Sequence, residues 1–177
     1  ATPDDAYEFA KGKSIKHPAG FEVSLDRPLD FYGVTDHGTF LGHVEEAATP
    51  GTPYYEAPSS AQVNDINSPE NLNISTIPRR TEAFGGFLIN TVNALRDQKL
   101  DIRYVDSVSR RAWADTVAAA QRHNDPGKFT TFIAYEYTAS TPDMGNLHRN
   151  VVFRGDSNRI PSVPYSRANS NDPEGLW

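Results

Sequence analysis

The sequence contains no cysteine in its 177 residues, which excludes a disulfide framework and any thiolate metal site. That absence suits an exported protein as well as a cytosolic one, so compartment stays open. No apolar run approaches the roughly 20 residues that a membrane-spanning helix needs. Positive charge is not in surplus either: 17 Lys and Arg face 23 Asp and Glu, for a net charge of -6. A nucleic-acid partner calls for a clustered cationic footprint that replaces counterions. Here the basic residues are scattered, and the longest runs, Arg79-Arg80 and Arg110-Arg111, read as solvated surface. Apolar side chains are also few, at 37% with a mean hydropathy of -0.59. The deficit lies between Val44 and Arg80 and again after Gly155; the remainder has the density of an ordinary folded core.

A chain of this length favours one domain. Its start reads as a helix, not a signal peptide: Thr2 can cap, Pro3 suits the first helical position, and Asp4 and Asp5 favour the positive helix end. The stretch from Asp172 to Trp177 reads as the start of another helix, so the expectation is a piece of a longer protein. Leu29 to Val34 is a short, mostly apolar run that stops at Thr35-Asp36-His37-Gly38, as a buried parallel strand opening onto a loop would. Val44 to Arg80 holds five prolines and neither helical nor strand periodicity, which predicts an irregular insertion, lid or binding loop, with a linker as the alternative. Phe84, Phe87, Leu88, Val92 and Leu95 repeat at helical spacing and predict one core-facing stripe. Trp113, Val117 and Ala120 predict another between about Ser109 and Arg122. Phe129 to Thr138, rich in aromatic and β-branched residues, predicts a strand, and Leu147 to Phe153 predicts the next. Strand, helices and strands in that order indicate an α/β layer or barrel with helices outside.

Three residues carry the chemistry. His37 ends a buried strand, where the active sites of α/β folds gather and where a neutral imidazole can bind a metal. Glu136 lies inside an apolar and aromatic strand, where an unpaired carboxylate is costly to bury. A cation offsets that cost; a turn toward solvent or an arginine partner is the alternative. His148 opens the following strand, about a dozen residues on. Together they make a divalent-cation set of nitrogen and oxygen donors, which zinc, manganese and iron all accept. Asp36 can orient a ring or bind the cation itself. Arg149 either grips an anionic substrate oxygen or faces solvent. His43, six residues past His37, is a weaker candidate for the same mouth, and His17 and His123 read as solvated residues of connecting segments.

Asp30-Phe31-Tyr32-Gly33-Val34-Thr35-Asp36-His37 resembles the strand ending in Thr-Asp-His of the polymerase and histidinol phosphatase (PHP) metallohydrolases. Phe132-Ile133-Ala134-Tyr135-Glu136 is similar to their glutamate strand, and Leu147-His148-Arg149-Asn150-Val151 to the histidine strand that follows. More closely, Ala6 to Gly12, Arg27 to Tyr32 and Arg122 to Phe132 resemble a large bacterial family of PHP-like proteins of unknown function. The resemblance implies a distorted β/α barrel, only part of which this chain would hold, with two or three divalent metals in the full-length protein. It implies His37, Glu136 and His148 as ligands and Asp36 as a supporting or additional one. A His-x-His pair upstream and further ligands downstream complete such a set; neither falls within this sequence.

The resulting expectation is a metal-dependent hydrolase of phosphate, sulfate or related esters, acting on a small anionic substrate with water as nucleophile. Neither a Gly-x-Ser-x-Gly elbow nor a phosphate-cradling glycine loop is present. A non-catalytic metal- or ligand-binding module is the competing expectation. A polymerase-associated nuclease is the third, and the acidic balance opposes it.

Overall fold

The computed structural model describes residues 1–141 and 145–176. Its elements, in chain order, are α1 (Pro3–Ala10), β1 (Ile15–Lys16), β2 (Glu22–Val23), β3 (Phe31–Gly33), α2 (His43–Ala47), α3 (Pro53–Glu56), α4 (Ile77–Arg96), α5 (Ile102–His123), β4 (Thr130–Phe132), β5 (Ala134–Thr141) and β6 (Gly145–Val152). Helices and strands are mixed, as the α/β reading required. The strands pair two by two, and no closed barrel forms among the described residues. Two compact units emerge, the first from Ala1–Ser14, Ser24–Leu41 and Arg110–Trp177, the second from Ile15–Val23 and Gly42–Ser109.

The first unit is built on a strand framework. α1 starts as its sequence dictates: the Thr2 hydroxyl accepts from Asp5 N at 3.2 Å, and the Asp5 carboxylate accepts from Thr2 N at 2.7 Å. This reciprocal box satisfies two of the backbone donors that a helix start leaves orphaned. β3 pairs in parallel with β4, Phe31 opposite Thr130 and Gly33 opposite Phe132. β5 and β6 form an antiparallel hairpin in which Glu136 faces Asn150 and Thr138 faces His148. Backbone bonds link the pairs: Phe153 N donates to Ile133 O at 2.9 Å, and Gly38 N donates to Glu136 O at 2.8 Å.

Behind these strands lies the core of Tyr7, Val34, Trp113, Val117, Ala120, Tyr135 and Tyr137 with their neighbours. The α5 stripe read from the sequence is buried as expected. Trp113 satisfies its indole N–H on Pro161 O at 2.8 Å, which lets so large a side chain sit almost wholly inside. His123, expected in solvent, is the last residue of α5 and mostly buried. Its ring stacks on Tyr7 at 5.3 Å and meets Asp4 at 2.9 Å and Glu8 at 3.4 Å. Asp4, in the first turn of α1, therefore also anchors the end of α5.

The second unit corrects two expectations. The segment from Val44 to Arg80 is not irregular: α2, α3 and short 3-10 turns at Pro58–Val63, Pro69–Asn71 and Ile74–Thr76 follow one another. Pro53, Pro58 and Pro69 each sit in a first turn, where a missing N–H costs nothing. Each piece is too short to establish a hydrophobic period, so none shows in the sequence pattern. α4 also departs from its single-stripe reading. Phe87, Thr91 and Ala94 are buried, whereas Phe84 and Val92 are about half exposed. Five apolar residues at helical spacing spread over more of the helix than one packed face, and only the Phe87 side is covered within the unit. His17, too, is only partly exposed and stacks on Phe21 at 4.6 Å beside the β1–β2 pair.

Candidate metal centre

Strand alternation decides what meets at this site, because successive side chains point to opposite faces. On β5, Tyr135, Tyr137 and Ala139 enter the core, so Glu136, Thr138 and Ser140 take the other face. On β6, Leu147, Val151 and Phe153 pack against the core, which leaves Asn146, His148 and Asn150 on that same outer face. The chain leaving β3 joins the pattern at His37. Glu136 N donates to Asp36 O at 2.9 Å and Gly38 N donates to Glu136 O, so His37 is the residue bridged to Glu136. The His37 side chain thus lies on the face of Glu136, and those of Val34 and Asp36 on the core side.

The outcome is a convergence of three donors from three segments. His37 Nε2 lies 3.5 Å from one Glu136 carboxylate oxygen, and His148 Nδ1 lies 3.1 Å from the other. One ligand atom from each residue falls within 4.8 Å of the other two. The imidazoles stand at 75° to each other with centroids 6.4 Å apart, so their nitrogens point inward without the rings stacking. Glu136 is the least exposed of the three side chains, at 22%. Its carboxylate meets the two imidazoles.

Thr138 is a fourth participant, which the sequence reading passed over. Its Oγ1 lies 2.9 Å from His37 Nε2, 3.0 Å from His148 Nδ1 and 3.3 Å from Glu136 Oε2. A hydroxyl has one proton to donate. It can satisfy all three neighbours at once only if both imidazoles carry their protons on the inward nitrogens and the hydroxyl donates to Glu136. In the opposite tautomers two inward lone pairs and a carboxylate compete for one proton. A cation held by the two inward lone pairs and the carboxylate would be the other way to satisfy the set, so the donors fit a divalent metal. Two ligands at the usual bond lengths from one ion lie at most about 4.4 Å apart, and the two measured distances to Glu136 already satisfy that bound.

Gly38 keeps the bridge close. A Cβ there would lie 3.0 Å from the Tyr135 ring, 3.2 Å from Glu136 O and 3.2 Å from Pro164, so a side chain would fit only if these neighbours gave by a few tenths of an ångström.

The structure does not bring Asp36 or Arg149 into this cluster. Asp36 projects from the opposite side of its strand. It keeps part of its surface open, yet burial of its carboxyl pushes its pKa above the ordinary carboxylate range. Its charge adds to the rise that burial causes at the Tyr7 phenol. Arg149 is the cross-strand partner of Tyr137 and donates to the carbonyl of His148 at 3.1 Å. One step along the strand from His148 reverses its direction. His43 belongs to another network, in which Nδ1 meets the Tyr54 hydroxyl at 2.7 Å and Nε2 meets Ser109 Oγ at 2.9 Å. Burial lowers its pKa to about 4, so the ring is neutral at pH 7.

Comparison with known proteins adds a family but no function. A family model described as a protein of unknown function (DUF3604) matches residues 1–177. No curated protein and no solved structure matches the chain.

Proposed function

Because the chain belongs over its whole length to the DUF3604 family, whose description assigns no chemistry, we propose from the site itself that it is the metal-binding part of a hydrolase acting on phosphate or related esters. The observation that carries this reading is the convergence of His37, Glu136 and His148 to within 4.8 Å. Such a set, two neutral nitrogens and one carboxylate, suits zinc, manganese or iron. A divalent cation held there supplies Lewis-acid chemistry, lowering the pKa of water and drawing charge from an ester oxygen. Glu136 contributes the negative charge that retains the cation, and His37 and His148 contribute ligands from separate strands. Thr138 places a hydroxyl beside all three ligands, able to donate to Glu136, and Asn150, in register with Glu136, offers an amide on the same face. The likeness of the three motif strands to those of PHP metallohydrolases supports the same reading.

The test is calorimetric titration of zinc and manganese into the metal-stripped protein, with turnover of an activated phosphate ester and an activated sulfate ester measured in parallel. His37→Ala should weaken metal binding by more than about 100-fold, beyond the range typical for losing an outer partner of a ligand, and abolish metal-dependent turnover. Tight metal binding without turnover in the full-length protein would favour the binding module instead. Unchanged affinity in both His37→Ala and Glu136→Gln would remove the metal centre altogether.

A further inference from the structure

On the sheet face that carries the donor cluster, a groove of about 740 Å³ runs along β3, a size typical of small-molecule sites. Its walls include Phe31, Phe132 and Val152, which remain 64%, 38% and 54% exposed. These residues follow the alternation that places the ligands. Phe31, Gly33 and Thr35 lead to His37, Phe132 and Ala134 lead to Glu136, and Val152 and Asn150 lead back to His148.

The lining of the groove is mixed, with Arg27 and Asp30 beside the apolar side chains. Asn150 and Thr35 line the groove at the end next to the cluster, one in register with Glu136 and the other two residues before His37. Farther along, the Phe31 and Phe132 rings stand edge to face at 6.2 Å and 76°. Gly33 lies between, and a Cβ there would touch Phe132 Cβ at 3.4 Å and Ala134 Cβ at 3.7 Å. The missing side chain leaves the floor open beside the two rings.

We propose that this groove seats the aromatic leaving group of the ester, with the anionic end of the same molecule at the donor cluster. The proposal rests on the hydrolase reading for its anionic end, whereas the groove itself can be tested without turnover. A flat ring suits an edge-to-face aromatic wall better than an alkyl chain does, because it adds quadrupole contacts to area burial. Continuity with the cluster favours one small molecule spanning both regions over a macromolecule lying across them.

The experiment uses 2-naphthol as a neutral probe, followed by NMR chemical-shift perturbation in the full-length protein. Phe31→Ala is the variant of choice, since an exposed side chain can be removed with little cost to folding. 2-Naphthol should perturb Phe31, Gly33, Phe132 and Val152, and Phe31→Ala should weaken it roughly tenfold, about the value of one aromatic contact with its area. The same variant should raise KM for 2-naphthyl phosphate by a similar factor, while methyl phosphate kinetics and zinc affinity stay unchanged. Perturbations elsewhere, or equal 2-naphthol affinity in wild type and Phe31→Ala, would overturn the proposal. So would a wild-type dimer that Phe31→Ala converts to monomer, because the groove would then be covered by a second copy. Absence of zinc binding combined with normal 2-naphthol binding would sink the metal reading and leave the groove standing as an aromatic site.

Discussion

At the scale of single residues, Thr138 and His43 make the sharpest claims. The Thr138 hydroxyl touches every member of the cluster, so its removal should act on both rings together. Thr138→Val preserves shape and branching and should weaken zinc by 10–100-fold, the range for an outer partner of a ligand. Thr138→Ser should restore most of the loss, and calorimetry on the two variants checks both. His43 predicts a pH dependence. Its folded pKa of about 4 lies below the ordinary 6.5 because the ring is buried. As pH falls, the unfolded chain takes up the proton first, so stability present above about pH 6.5 is lost progressively down to about pH 4. The full loss from this group is roughly 3 kcal/mol. Urea midpoints at pH 7 and 4.5 should converge in His43→Gln relative to wild type; equal pH slopes in the two proteins would contradict the assignment.

At the scale of elements, periodicity was a good guide where one face of an element is packed and a poor one elsewhere. Trp113, Val117 and Ala120 marked the buried side of α5 because the opposite side is polar. α4 misled because apolar residues lie on both of its sides, and composition alone cannot say which side finds a partner. Phe87→Ala should therefore cost about 3–5 kcal/mol, whereas Phe84→Ala should stay within about 1 kcal/mol; chemical denaturation of the two variants distinguishes them. The site was legible in the same uneven way. His37, Glu136 and His148 stood out as charged or ligating residues in apolar strands. Thr138 did not, since threonine is common in strands, but two-residue alternation from Glu136 would have led to it. The same alternation would have separated Asp36 from His37 and Arg149 from His148.

At the scale of the whole molecule, the net charge of -6 is a functional statement. A surface of this balance offers few phosphate contacts, so duplex DNA should not be retained at 0.1 M salt, and a gel-shift titration checks this. The division into two compact units was hidden because both are discontinuous in sequence. Residues Ile15–Val23 leave the strand framework and join the segment around α2 to α4, a long-range association that no local composition shift announces. Among the described residues no helix is long and apolar enough to cross a membrane, as the lack of long apolar runs led one to expect.

The pleat also sets a counting rule for anyone editing this gene. Deleting one codon between Gly33 and His37 would swing the imidazole toward Tyr7 and present a different residue to Glu136, even though composition would scarcely change. Removing two would restore the orientation and merely shorten the path. Tolerance to indels here should follow parity before it follows length.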